Sequence, residues 1–123
     1  MPQLSHAEFT LLAALLVGLA WFLLLRNRNR QPPLTQQQVA ELRRRGALIL
    51  DVRSVGEFSQ GHAKGARNIP LPLLKDRLGD LDRKKPILAC CASGARSASA
   101  CRILLKAGFQ DVHNVGSWTA LKP

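Results

Sequence analysis

The sequence is poor in the residues that build metal centres, disulfide frameworks and nucleic-acid platforms. Its 123 residues include three cysteines and three histidines. The histidines are scattered and no Cys-x-x-Cys pair occurs, so no metal-ligand spacing is present. Aromatic residues make up 5% of the chain, and neither a helix-turn-helix nor an aromatic-stacking pattern accompanies its basic charge. We therefore predict no metal site, no cofactor and no nucleic-acid partner.

Acidic residues are scarce as well. The chain has 18 lysines and arginines against 8 aspartates and glutamates, which gives a formal net charge of +10. Most of this excess lies after residue 33, where 15 basic residues stand against 7 acidic ones. A basic domain suits a position beside the anionic head groups of a lipid bilayer. It also steers small anionic substrates toward a site.

The segment Phe9–Leu25 has no charged residue over 17 positions. As a helix it is about 25 Å long, which is short but sufficient to cross a bilayer. Arg26, Arg28 and Arg30 follow the segment, whereas no lysine or arginine precedes it. The positive-inside rule therefore predicts a single-pass anchor in a bacterial-type inner (plasma) membrane, with the N-terminus outside and the following domain in the cytoplasm.

Two alternatives for this apolar segment fit less well. A cleavable signal peptide carries its positive charge before the apolar run, which is the reverse of the order found here. A buried core helix needs an apolar surface to pack against. The pattern of the residues that follow already predicts a complete small domain, which leaves no such surface for this segment. We predict an N-terminal tail at 1–8, a transmembrane helix at 9–25, a basic proline-containing linker at 26–33 and one domain at 34–123. In a reducing cytoplasm, structural disulfides are not expected.

Short apolar runs alternate with helical patterns after the linker. Thr35 is a predicted N-cap, and Gly46, Gly79 and Gly108 stand at predicted helix ends. This order predicts an α/β fold with a doubly wound parallel sheet of about five strands, preceded by one transmembrane helix. Predicted strands lie at 47–52, 66–69, 87–91 and 111–115, and predicted helices at 36–45, 71–78 and 97–107.

The chemistry is concentrated in Lys85–Ser97, a buried strand that ends in a thiol and turns at once into a helix. Gly94 can take a positive φ without strain, which lets the backbone curl closely. A cysteine at such a strand tip faces a helix dipole and inward-pointing N–H groups, which lower the pKa of the thiol. Arg96 adds a fixed positive charge, so Cys91 is predicted to be an activated nucleophile. The same cradle suits sulfur transfer through a persulfide or phosphate ester hydrolysis through a phosphocysteine.

The segment Cys91-Ala92-Ser93-Gly94-Ala95-Arg96-Ser97 resembles the active-site loop of the rhodanese family of sulfurtransferases. Downstream, Leu104–Phe109 and Val112–Val115 are similar to the last helix and strand of that family. The resemblance covers about residues 34–121, and several motifs agree in order, which makes it far more specific than a lone cysteine motif. The upstream segments also follow the family's order: Asp51-Val52-Arg53, Glu57-Phe58, Gly61-His62-Ala63 and Gly65-Ala66-Arg67-Asn68-Ile69-Pro70.

The resemblance implies a sulfurtransferase that moves a sulfane sulfur through a persulfide on Cys91. The partners it implies are a small anionic donor such as thiosulfate and a thiol or cyanide acceptor. The chain departs from the family at Ala92, where many members carry arginine, so one cation is missing from the loop. The substrate-binding residues that the resemblance implies are Ala92, Ser93, Gly94, Ala95, Arg96 and Ser97. The residues to which it gives a structural role, capping and pinning the surrounding loops, are Asp51, Arg53, Glu57 and His62.

Two other functions remain open. A cysteine phosphatase would use Cys90, which five residues separate from Arg96. Phosphatase loops usually place histidine before the cysteine and glycine three residues after it, whereas Ala89 and Ser93 occupy these positions. Strand alternation also turns Cys90 away from Cys91. The other function is a non-catalytic docking or sulfur-relay module at the membrane, whose loop binds a partner protein.

Overall fold

The structure is a computed structural model that describes residues 3–28 and 32–121. The predicted linker 26–33 lies partly outside these residues, as do the first two residues of the predicted tail and the last two of the predicted domain. Two compact units, 1–32 and 33–123, make up the chain. The first contains helix α1 (His6–Arg28). The second contains α2 (Gln36–Arg44), β1 (Leu48–Asp51), α3 (Val55–Ser59), β2 (Arg67–Asn68), a 3-10 helix (Leu71–Asp80), β3 (Ile87–Cys91), α4 (Ala95–Lys106), β4 (Val112–Ser117) and a last 3-10 helix (Trp118–Leu121).

Helix α1 accounts for the apolar N-terminal segment. Its stretch His6–Arg26 spans 21 residues with a mean hydropathy of 2.2, and none of it is buried. A helix of this length is about 31 Å long, which matches the hydrocarbon thickness of a bilayer. The helix is therefore long and apolar enough to cross a membrane, as a membrane anchor or a signal sequence would be. It begins three residues before the predicted span Phe9–Leu25.

The second unit is built on one parallel sheet. Its strands lie in the order β2-β1-β3-β4, and each neighbouring pair is parallel. The predicted α/β class with a parallel sheet is confirmed. The part of the chain that the structure describes forms four strands where about five were predicted, and β2 at one edge has only two residues. Because all strands run in the same direction, β1 and β3 end at the same edge of the sheet.

The two faces of the sheet are covered by two separate apolar clusters. On β3, Ile87 and Cys91 belong to one cluster, together with Leu104 of α4. Leu88 and Cys90 belong to the other. All five residues of β3 are buried, as expected for a central parallel strand. The predicted opposite orientation of the two adjacent cysteines is therefore confirmed.

Side-chain caps fix the starts of two helices. The Thr35 hydroxyl accepts a hydrogen bond from the backbone N–H of Gln38, whose side chain accepts one from the backbone N–H of Thr35. This capping box confirms the predicted N-cap. Ser54 and Glu57 form the same arrangement at the start of α3. The second box holds Glu57 in a defined position beside the strand ends of the sheet.

Two predicted elements were wrong in type or extent. Residues 71–80 form a 3-10 helix with a kink at Arg77, rather than an α-helix over 71–78. Leu71 and Leu74 face the core while Leu73 is exposed, and side chains three residues apart share a face in a 3-10 helix. At the end of the domain, β4 runs on through Ser117 rather than turning out at Gly116.

Candidate active site

The loop after β3 places the Cys91 thiol at the start of α4. Cys91 is the last residue of β3, and α4 begins at Ala95, two residues earlier than predicted. Gly94 forms the N-cap with φ +106°, in the left-handed region. A Cβ at this position would lie 3.3 Å from the backbone of Gly116. Glycine is therefore favoured here both by its conformation and by the close approach of β4.

Backbone N–H groups and a hydroxyl surround the sulfur. The Gly94 N–H donates to Cys91 Sγ at 2.9 Å, and Ser97 Oγ lies 3.4 Å from the same atom. Burial by itself raises the pKa of Cys91, and the hydrogen bond from the Ser97 side chain opposes it. The N–H groups that act in the same direction belong to Ser97, Gly94 and Ser93. Hydrogen bonds to the charged form outweigh burial, so the pKa is lowered to about 7.

Asn114 of β4 joins Ser97 to the loop, and the sequence did not predict its role. Its Oδ1 accepts from Ser97 Oγ at 2.7 Å and from the Gly116 N–H at 2.9 Å, and its Nδ2 donates to Gly94 O at 3.1 Å. A serine hydroxyl carries one proton, and the acceptors within reach of it are Asn114 Oδ1, Gly94 O at 3.1 Å and Cys91 Sγ. This proton can turn toward the sulfur when the thiolate is present.

Arg96 is held by Glu57 across the mouth of the loop. The two guanidinium nitrogens donate to the two carboxylate oxygens at 2.7 and 2.9 Å. The side chains are 38% and 39% exposed. Hydrogen bonds from Arg96 and from the Ser54 backbone hold the pKa of Glu57 down at about 2. The predicted cation is thus present beside the loop, but it is already paired.

A buried ion pair supports the loops next to this site. Arg53 donates to both carboxylate oxygens of Asp51, and its Nη2 also donates to Gly61 O at 2.8 Å. Trp118 lies over the guanidinium, with the ring centroid 4.6 Å from Cζ. His62 stacks on Phe58 and contacts its carbonyl oxygen at 2.8 Å. These contacts pin loops together, in agreement with the structural role predicted for Asp51, Arg53, Glu57 and His62.

The other two cysteines lack the features of a nucleophile. Burial raises the pKa of Cys90 to about 12, with a further contribution from the Asp51 carboxylate. Burial also raises the pKa of Cys101 to about 11. All three cysteines are free. Within residues 3–28 and 32–121, the structure brings together no cluster of histidine, cysteine or acidic side chains that could hold a metal.

The structure brings only part of the predicted site into contact with the sulfur. Ser93, Gly94 and Ser97 contact Cys91 through N–H groups or a hydroxyl. Ala92 in the loop and Ala95 at the start of α4 are exposed. Their contact with substrate stays a prediction, as does that of Arg96.

Comparison with known proteins gives a consistent result. The family "Rhodanese-like domain" matches residues 35–122. The protein YqhL of Bacillus subtilis (strain 168) is 41% identical over 71 residues, which span 58% of this chain and 56% of YqhL. Thiosulfate sulfurtransferase GlpE of Pseudomonas putida (strain F1) is 35% identical over 100 residues, which span 77% of this chain and 88% of GlpE.

A solved structure supports the same assignment. The structure described as "rhodanese with anions from E. coli" has a TM-score of 0.59 and 31% sequence identity, and the match covers 63% of this chain and 94% of that one. Fold, motif order and sequence similarity agree over the region that contains the Cys91 loop. The chain therefore belongs to the family of rhodanese-like domains.

Proposed function

We propose that this protein is a membrane-anchored sulfurtransferase that carries a sulfane sulfur as a persulfide on Cys91. The observation that carries the proposal is the Cys91 thiol, whose pKa is lowered to about 7 although the side chain is buried. A thiol that ionises near neutral pH is an effective nucleophile. Membership of the rhodanese-like family supports sulfur as the transferred atom. The similarity to a protein named thiosulfate sulfurtransferase supports a donor of the thiosulfate type.

In the first half-reaction, the Cys91 thiolate attacks the outer sulfur of a donor such as thiosulfate. A new S–S bond forms to Cys91 while the S–S bond of the donor breaks, and the electron pair of that bond leaves with sulfite. The persulfide keeps the negative charge of the thiolate, and sulfite keeps the two charges of thiosulfate. The step therefore needs neither a proton nor a redox partner. The N–H groups that face Cys91 would stabilise the negative charge of the terminal sulfur.

In the second half-reaction, an acceptor attacks the terminal sulfur of the persulfide. With cyanide, a carbon–sulfur bond forms, the S–S bond to Cys91 breaks, and thiocyanate leaves. The bonding electron pair returns to Cys91, which restores the thiolate. A thiolate acceptor would react in the same way and leave as a persulfide.

The proposed location is the inner (plasma) membrane, with α1 as the anchor and the rhodanese-like domain at 34–123 in the cytoplasm. The uncharged stretch of α1 and the arginines after it support this orientation. A reducing cytoplasm would also keep Cys91 in its thiol form.

A phosphatase that uses Cys90 is the weaker candidate. The high pKa of this thiol, about 12, leaves almost no thiolate at neutral pH. Its side chain also belongs to the apolar cluster on the opposite face of the sheet from Cys91. We therefore propose no role for Cys90 in catalysis.

Thiocyanate formation from thiosulfate and cyanide tests the proposal. We expect activity in the full chain, its loss in Cys91→Ser, and most of it retained in the matched control Cys90→Ser. Loss in Cys90→Ser with activity kept in Cys91→Ser would overturn the assignment of the nucleophile. An inactive wild-type chain whose Cys91 takes up no sulfur from any donor would indicate a docking module instead.

A further inference from the structure

The loop around Cys91 has little positive charge to offer a bound anion. Arg96 is the one lysine or arginine within residues 91–97, since alanine stands at position 92, where many members of the family carry arginine. Arg53, two residues after the end of β1, is another cation near the strand ends of the sheet. It is 4% exposed and donates to both carboxylate oxygens of Asp51. Arg53 therefore supports the neighbouring loops, and Arg96 is the cation that the Cys91 loop itself offers to a donor.

Arg96 is close enough to the sulfur to matter for a donor bound there. It lies in the first turn of α4, two residues after the glycine whose N–H contacts Cys91. The pKa of Arg96 is raised, chiefly by its hydrogen bond to Glu57. The negative charge of Cys91 also contributes to this rise. The guanidinium and the thiolate thus share one electrostatic environment at the mouth of the loop.

The Arg96 guanidinium already forms a bidentate ion pair with Glu57, with N···O distances of 2.7 and 2.9 Å. The capping box with Ser54 holds the carboxylate in place. Because the pKa of Glu57 is about 2, it stays ionised across the neutral range. An anionic donor that uses Arg96 must compete with this carboxylate and approach its negative charge.

We propose that Glu57 determines donor specificity by neutralising Arg96, so that the site disfavours dianionic donors and favours donors with one negative charge or none. The inference rests on the proposed sulfur transfer through Cys91. Glu57 acts through Arg96 and takes no part in the chemistry, so it is a positioning residue. In this account thiosulfate reacts, but its second charge is a disadvantage.

A pair of donors that differ by one charge tests the proposal. Thiosulfate is a dianion, and in methanethiosulfonate a methyl group replaces one charged oxygen while the transferred sulfur stays the same. In Glu57→Gln the carboxylate charge is removed, and the amide oxygen can still accept in the capping box with Ser54. We expect the ratio of kcat/KM for thiosulfate to kcat/KM for methanethiosulfonate to rise about tenfold, equivalent to about 1.4 kcal/mol of charge interaction.

Control variants separate this effect from general charge and from folding. Glu41→Gln removes an equal charge from the Glu41–Arg44 ion pair on α2, and the donor ratio should stay within twofold of wild type. In the double variant Glu57→Gln/Arg96→Gln the ratio should return to the wild-type value. At pH 8 Cys91 with a pKa of about 7 is already mostly thiolate and keeps its own hydrogen bonds, so alkylation by neutral iodoacetamide should change less than twofold in Glu57→Gln.

Each outcome decides the proposal. An unchanged donor ratio in Glu57→Gln would overturn it, and so would an equal loss of activity toward both donors with a lower melting temperature, which would mark a purely structural role. If wild-type protein formed no persulfide with either donor, the proposed function itself would fail. Persulfide formation with both donors at an unchanged ratio would refute only the role of Glu57.

Discussion

Replacement of Ser97 by alanine tests how the protein ionises its nucleophile. The substitution removes a hydroxyl 3.4 Å from Cys91 Sγ and leaves the Gly94 N–H at 2.9 Å. A hydrogen bond to a charged group contributes about 1.5–3 kcal/mol, and one pKa unit corresponds to about 1.4 kcal/mol. Loss of a donor to the thiolate raises the pKa, so the Cys91 pKa should rise from about 7 by about one to two units. At pH 7 the thiolate fraction would then fall from about one half to one tenth or less.

The pH dependence of alkylation by iodoacetamide measures this change. The thiols of Cys90 and Cys101 have pKa values of about 12 and 11, so below pH 9 the reagent should report on Cys91. Ser99→Ala is the matched control, because the Ser99 hydroxyl contacts Ala95 O and Arg102 on the same helix, away from the sulfur. An alkylation midpoint in Ser97→Ala that stays at the wild-type pH would refute the account of the lowered pKa.

Two further predictions concern the support of the loop. Asp51→Asn should lower the free energy of unfolding by about 3–5 kcal/mol, because it leaves the Arg53 guanidinium buried without its counter-charge. Denaturant unfolding measures the change, and a loss below about 1 kcal/mol would contradict this prediction. Gly94→Ala should cost about 1–2 kcal/mol, because alanine is strained at φ +106° and its Cβ meets the backbone of Gly116. Sulfur transfer should fall at least tenfold in this variant, and Gly56→Ala, where a Cβ meets no atom within 4 Å, is the control.

Local sequence signals were sufficient for the central unit of the fold. The apolar residues that end in Cys91, the small residues after it and Gly94 each restrict the backbone within a few positions. They predicted the strand, the tight loop and the following helix, and strand alternation predicted that Cys90 and Cys91 lie on opposite faces of the sheet. The N-cap role of Thr35 was predictable for the same reason, because its hydrogen-bond partner Gln38 is only three residues away.

Contacts between distant segments could not be predicted in this way. Asn114 lies opposite Ala89 in the β3–β4 pair and contacts Ser97, 17 positions away in the sequence, which only the folded sheet brings within reach. The ion pair between Glu57 and Arg96 joins residues 39 positions apart, which only the folded sheet brings together. The 3-10 helix at 71–80 was mistaken for an α-helix because both periods place apolar residues three apart.

The most direct test of the account is the mass of the protein after brief treatment with thiosulfate and removal of excess donor. We expect an increase of about 32 Da, one sulfur atom, that cyanide reverses. The increase should persist in Cys90→Ser and vanish in Cys91→Ser. An unmodified wild-type protein, or an added sulfur that survives in Cys91→Ser, would contradict the central claim that Cys91 accepts and carries the sulfur.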